Sequence, residues 1–299
     1  MRRLLIFFLA VTIMNAVIVY FRDDFQFIKY STYQELYGPC DENCREKWDD
    51  FLKPYSTASI SEARKILLPL HVDKGSTLMK IQLIGRHLYA RFHQQSGFPN
   101  GIIHRSSPLN QYKILSSDTT QKLWCGTWAQ MFSFFCWSQN IVCRNVEIFK
   151  PGDHHVLNEC YLPEQKQWVM VDLTSAILLA TRNEKLLNVQ DFLANLQNPD
   201  SLKIIPAGAQ ATQLFSGFPF NASVKSYYRR EYPVYYYHIT HTPTVYTGSA
   251  KLKRFFLPVY WYEIFSADNK IPFLFCIKLI VVGIWIVLGG LILVKRFHD

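Results

Sequence analysis

The chain has 299 residues, of which 49% are hydrophobic, 15% aromatic and 18% charged, with a formal net charge of +9. That mixture excludes intrinsic disorder for the middle of the chain, and the apolar excess at the two ends excludes both a plain cytosolic globule and an all-helical multi-pass transporter. The basic excess contains no run of five or six like charges, so no nucleic-acid partner is expected.

The charge-free run Leu4 to Phe21 follows Arg2-Arg3 and closes at Arg22-Asp23-Asp24. It is long enough to cross a bilayer. A cleaved signal peptide is the competing reading, but the run continues through Val17-Ile18-Val19 beyond Ala16, and no Ala-x-Ala site ends it. Residues 1–24 are therefore expected to be an uncleaved transmembrane anchor.

Residues 25–117 are expected to be the helical N-terminal part of an ectodomain. Cys40 and Cys44, in a C-x3-C spacing, are the nearest pair that an oxidising compartment could join, although connectivity stays open. Residues 47–95 read as helices, with Ser59-Ile60-Ser61-Glu62 offering a cap, and with Leu78, Ile81, Leu83, Ile84, Leu88 and Phe92 at helical spacing. Gln95 to Pro108, containing Gly97, Pro99 and Gly101, reads as a loop.

Residues 118–215 are expected to carry the chemistry. A helix is expected from Cys125 through Ala129, Met131, Phe132 and Phe135 to Ser138. Three strands then follow at Ile141–Phe149, His155–Leu162 and Trp168–Thr174, and a short helix at Val189–Leu196. Helices first and strands later imply an α+β layer structure. A cysteine at a helix start is placed where the macrodipole favours a thiolate. If the second and third strands pair around a turn at Pro163–Gln165, Tyr161 faces Lys166, Glu159 faces Trp168, Leu157 faces Met170 and His155 faces Asp172. One imidazole nitrogen then reaches the carboxylate and the other can serve a thiol, whereas His154 points to the opposite face. Cys136 and Cys143 read equally well as buried thiols acting as small apolar residues.

Over Cys125 to Thr174 the sequence resembles the transglutaminase-like superfamily. Cys125-Gly126-Thr127-Trp128-Ala129 is similar to the nucleophile motif, and Asn140-Ile141-Val142-Cys143-Arg144 to the helix exit often written Gly-Ile-Pro-Ala-Arg. His155-Val156-Leu157-Asn158-Glu159 is similar to the His-x3-Glu strand, and Trp168-Val169-Met170-Val171-Asp172-Leu173-Thr174 to the Trp-x3-Asp-Pro-Thr strand. Asn140 stands for the usual Gly, and Asn is the next residue best suited to a left-handed cap. Leu173 stands for Pro. The papain family proper fits less well, because its histidine follows the cysteine by more than about a hundred residues.

The resemblance implies a papain-like core with Cys125 as nucleophile, His155 as base, Asp172 as its orienter, and Glu159 and Trp168 as supporting residues. The backbone N–H of Cys125, with Trp124 or Gln121, would supply oxyanion donors. No cofactor and no metal are implied.

Residues 216–268 form a Tyr-rich, strand-forming region in which His238 and His241 accompany Tyr235, Tyr236 and Tyr237. No ligand triplet with zinc spacing accompanies them, and tyrosines near a membrane interface explain the composition better than a metal site does. Asn221-Ala222-Ser223 is a glycosylation sequon that matters only in a eukaryotic secretory host.

The run at 271–294 carries Lys278 near its start, a position from which lysine can snorkel, and stays uncharged from Leu279 to Val294 before Lys295-Arg296. It reads as a second transmembrane helix. Basic residues at both ends place both termini in the cytosol and the central domain outside it. The expected function is a membrane-anchored acyltransferase or hydrolase acting on an amide of a protein, peptide or envelope polymer. Its partners would be the lipid bilayer and a protein or peptide substrate, and the sequence does not fix an oligomeric state. The rival from another class is a non-catalytic interaction or scaffold module in a membrane assembly, since fold does not fix function.

Overall fold

The computed structural model describes residues 2–20, 33–49, 55–150, 153–196, 202–208, 228, 234–237, 262–263 and 273–298. The chain divides into two compact units.

The first comprises Met1–Tyr30, Tyr246–Tyr262 and Ser266–Asp299. Its helices α1 (Arg2–Tyr20) and, last in the chain, α10 (Phe273–His298) are each long and apolar enough to cross a membrane. Inside the pair, Val11 and Ile18 are buried with Val281 against Ile277 and Leu288. Phe8 stacks on Trp285 at 5.7 Å, and the Trp285 indole donates a 2.9 Å hydrogen bond to Thr12 Oγ1. The outward side chains, including Leu5, Phe7, Leu9, Ile280 and Ile286, stay exposed, as lipid-facing residues would be. The Lys278 ammonium lies 4.6 Å from the Phe275 ring centroid.

The second unit, Ser31–Val245 with Glu263–Phe265, is α+β. Short helices α2 (Tyr33–Tyr37) and α3 (Glu42–Asp49) come first, and a disulfide ties Cys40, just before α3, to Cys44 in its first turn. Helix α4 (Thr57–Leu67) begins earlier than the sequence suggests, because Ser56 and not Ser59 caps it by accepting from Ser59 N–H. Helix α5 is Thr77–Phe92. The segment expected as a loop contains α6 (Gly101–Arg105), whose Ile102 and Ile103 N–H groups are both taken by the Asn100 side chain. Pro108 then opens α7 (Pro108–Ser117), where its missing N–H has no consequence.

Helix α8 (Cys125–Ser138) is the central helix, buried around most of its circumference by Trp128, Met131, Phe132, Phe134, Phe135 and Trp137. Asn140 ends it in the left-handed region, at φ 60°, as its place in the sequence implies. Its N–H bonds Trp137 O and that of Ile141 bonds Cys136 O, which is a Schellman turn.

An antiparallel sheet follows from β1 (Cys143–Lys150), β2 (Asp153–Leu162) and β3 (Gln167–Val171), joined by β7 (Val234–Tyr237) and β8 (Tyr262–Glu263) in the order β3-β2-β1-β7-β8. A second sheet, β5-β4-β6, is built from β4 (Ile177–Arg182), β5 (Lys185–Leu186) and β6 (Leu202–Pro206). The short helix α9 (Val189–Asn195) falls where the sequence places it. Strand β3 stops at Val171, before the expected Thr174, because Asp172 and Ile177 exchange two backbone hydrogen bonds of 2.8 Å and fold the chain into a tight turn. Of the Tyr-rich region, Tyr228, β7 and β8 are described. His238, His241 and the Asn221 sequon lie outside the described residues.

Candidate active site at the start of the central helix

The approach to α8 is held by backbone pairing: Gly97 N–H bonds Leu123 O, and Leu123 N–H bonds Gln95 O, each at 2.9 Å. Trp124 is extended, at φ −115° and ψ −175°, and turns the chain into the helix. An indole cannot accept a hydrogen bond, so no side chain caps this N-terminus and its first N–H groups keep their donor capacity. Cys125 opens the helix, half-buried against Ala129 and Val156.

His155 is buried, with its Nε2 2.8 Å from Asp172 Oδ2. The sequence expectation that these residues oppose one another across the hairpin needs correction. Observed partners are Tyr161 with Trp168, Glu159 with Met170 and Asn158 with Val171, a register two residues from the expected one. The cause is a four-residue turn, Pro163 to Lys166, in which Lys166 adopts φ 50°. A two-residue slip leaves each side chain on its original face, so the pair meets diagonally, from a carboxylate positioned by the tight turn beyond β3.

Asp172 accepts from three groups: His155, the Ser175 backbone N–H at 3.2 Å, and the Tyr228 hydroxyl. Burial alone would raise its carboxyl, but the His155 charge and these donors hold it below the usual carboxylate range. Burial alone would likewise pull His155 down. The Asp172 charge and hydrogen bond, together with a hydrogen bond to Cys125, outweigh that and push it up to about 10. At neutral pH the ring is thus an imidazolium, directed at Asp172 through Nε2, with the Cys125 sulfur near enough to help hold its proton. Tyr228 closes the site edge-on to His155, with centroids 5.9 Å apart, and burial with the facing Asp172 drives its phenol well above its ordinary value.

His154 is exposed, with Nε2 3.8 Å from Glu147 Oε1. Trp124 is half-buried next to Cys125 in the chain, and a Cβ added at Gly126 would lie 3.4 Å from its indole nitrogen. Gln121 is tied into the preceding loop, donating to Asp118 at 2.7 Å and accepting from Asn100 at 2.5 Å. Glu159 and Trp168 meet at Arg144. The guanidinium donates to Glu159 Oε2 at 2.6 and 2.9 Å, lies 3.7 Å from the Trp168 ring centroid, and bonds Leu36 O. Glu159 also accepts from Tyr37 and from the Val189 N–H that starts α9. This is a buried tie between α2, the three strands β1, β2 and β3, and α9.

Tyr228 was missed because nothing in its Tyr-rich surroundings singles it out. Asn158, inside the His155–Glu159 segment, donates through its amide to Ala129 O, Ser133 Oγ and Asn145 Oδ1 and so fixes α8 to the sheet. Among the described residues, the metal-competent group of three is Cys136, Cys143 and Cys160, not part of this site. No family model, curated protein or solved structure matches the chain, and the transglutaminase-like resemblance therefore rests on its own residues.

Proposed function

We propose that the chain is a membrane-anchored cysteine enzyme with a papain-like, transglutaminase-like core, acting outside the cytosol by acyl transfer or hydrolysis on an amide. The observation that carries this reading is the buried His155, bonded to Asp172 at 2.8 Å, with the half-buried Cys125 at a helix start near enough to help raise its proton affinity. Orienting carboxylate, imidazole and thiol in this relation are the parts of nucleophilic acyl transfer.

In the first step the Cys125 sulfur attacks the amide carbonyl as thiolate. The tetrahedral oxyanion is met by the open N–H groups of α8 and by the Trp124 indole N–H, the donor geometry favoured over Gln121 because the latter is bonded within its loop. The C–N bond then breaks, His155 gives its proton to the departing amine, and a thioester remains. Water or a second amine attacks the thioester, its proton passes to His155, and the thiolate is released. Asp172 holds the imidazole throughout. A protein, peptide or envelope polymer supplies the amide, and the bilayer holds the two apolar helices with both termini in the cytosol, as Arg2-Arg3 and Lys295-Arg296 favour.

The test is alkylation with iodoacetamide at pH 7 on the full chain in detergent, mapped by peptide mass. Cys125 is expected to react before buried Cys136, Cys143 and Cys160, and faster than in His155→Ala. Mapping is needed because Cys276 is also exposed. Equal rates in the two proteins sink the reading in favour of the scaffold module.

A further inference from the structure

The far end of α8 carries a second sulfur cluster, which the acyl-transfer reading does not use. Cys136 in the last turn of α8, Cys143 at the first position of β1 and Cys160 in β2 bring their sulfurs within 4.8 Å of one another, and the Cys136 and Cys160 sulfurs are 4.0 Å apart. The fold builds this convergence. The turn at Asn140 delivers β1 straight from the end of α8, and Cys143 directly opposes Cys160 in the strand register. The Trp137 indole fixes the approach by donating to Cys143 O at 2.8 Å. All three cysteines are buried and none is in a disulfide.

We infer that Cys136, Cys143 and Cys160 form a binding site for one thiophilic d10 metal ion, Cu+ or Zn2+. Thiolates are the donors that such ions prefer over oxygen ligands. A metal–sulfur bond of about 2.3 Å in a trigonal plane sets the sulfurs about 4.0 Å apart, so the cluster needs little more than small side-chain rotations to close on an ion. Among the described residues no histidine or carboxylate joins the three sulfurs. The Ser133 hydroxyl, 3.4 Å from the Cys143 sulfur, already donates to Asn145 Oδ1 and accepts from Asn158. Three sulfurs with no fourth His, Cys or carboxylate donor among the described residues suit Cu+, which takes trigonal sulfur sets, better than Zn2+, which closes structural sites with four ligands.

Each coordinated thiol gives its proton to solvent as the metal–sulfur bond forms, leaving a negative complex. The Arg144 charge acts on the Cys143 sulfur and offsets part of it. Because the sulfurs are sealed from solvent, the ion enters as the chain folds and thereafter ties the end of α8 to β1 and β2. The site is structural and independent of Cys125.

The experiment uses the full chain, expressed in medium supplemented with copper in one arm and zinc in the other, purified anaerobically in detergent and washed with chelator. Metal per chain is read by mass spectrometry. About one ion per chain is expected in the wild type, in Cys125→Ser and in Cys276→Ser, with a loss of about tenfold or more in Cys143→Ser and Cys160→Ser. Retention in Cys125→Ser separates this inference from the fate of the acyl-transfer reading. The native intact mass of the wild type decides the matter even where a cysteine variant fails to fold: apo mass plus one ion is expected. A wild type without metal in both arms, with free thiols or with a mapped Cys136–Cys160 disulfide, overturns the inference.

Discussion

Helix α8 presents cysteines at both ends, and their surroundings differ. At the start, Cys125 is half-buried, sits among helix N–H groups without a side-chain cap, and lies near an imidazole that a buried carboxylate keeps charged. In the last turn, Cys136 is sealed from solvent against two further sulfurs. Residue type and helix are shared, so the chemistry follows from access and from the charge of the neighbours. A nucleophile needs solvent access and an acid–base partner, whereas a structural thiol needs neither.

The largest expected effect breaks the first end of that comparison. Asp172→Asn keeps the size of the side chain but replaces the oxygen that faces His155 Nε2, so the ring loses its orienter and its countercharge. On the proposed mechanism the turnover of any amide substrate should fall by about 10⁴, by analogy with the carboxylate of the serine-protease triad. A stopped thioester burst on model amides would measure it. Metal content at the far end should not change, and a joint loss of both would mean that the variant had unfolded.

Next in size is Arg144→Met, which is neither at Cys125 nor at Cys136. It strands the Glu159 carboxylate among Tyr37, Trp168 and the start of α9. Removing one partner of a buried ion pair costs about 3–5 kcal/mol. Thermal denaturation should show a fall of roughly ten degrees, taking about 2–4 °C per kcal/mol for a domain of this size. An unchanged midpoint would deny the tie its structural role. Trp124→Phe should cost less, about 10² in the rate of thioester formation with the midpoint unchanged, since one oxyanion donor is lost and the ring is kept. A variant as fast as the wild type would move the oxyanion to the backbone N–H groups alone.

Much of this arrangement was legible in the sequence because it is local. The bounds of α8, its Asn140 exit, the hairpin after it and the exposure of His154 follow from periodicity, cap chemistry and alternation over a few residues. The hairpin register did not, because turn length sets it, and the turn extends through Gln165 and a left-handed Lys166, two residues beyond what the expected pairing allows. The His155–Asp172 pair survived that error through the two-residue period of a strand. Contacts closed from far along the chain, such as Tyr228 on Asp172 or Leu36 O on Arg144, leave no periodic trace. The second sheet was likewise missed: Leu202–Pro206 pairs with Ile177–Arg182 across an intervening helix.

The smallest effect per step is a pH dependence that isolates the charged end of the comparison. His155 is pushed up to about 10 in the fold, against about 6.5 in an unfolded chain. Between those values the folded protein holds a proton that the unfolded chain has released, so stability falls as pH rises. The contribution is fully present below about pH 6.5, is lost as pH climbs through about 10, and has a slope of at most about 1.4 kcal/mol per pH unit. Asp172 acts with the opposite sign at the acid end: its lowered carboxyl stabilises the fold above the ordinary carboxylate range, and that contribution fades as pH falls through its folded value. Denaturant midpoints measured from pH 6 to pH 10 should therefore decline in the wild type and flatten in His155→Gln, which keeps a hydrogen-bonding side chain and removes the titration. Parallel curves for the two proteins would show that His155 does not hold its proton in the fold, and the imidazolium assigned to it would have to be abandoned.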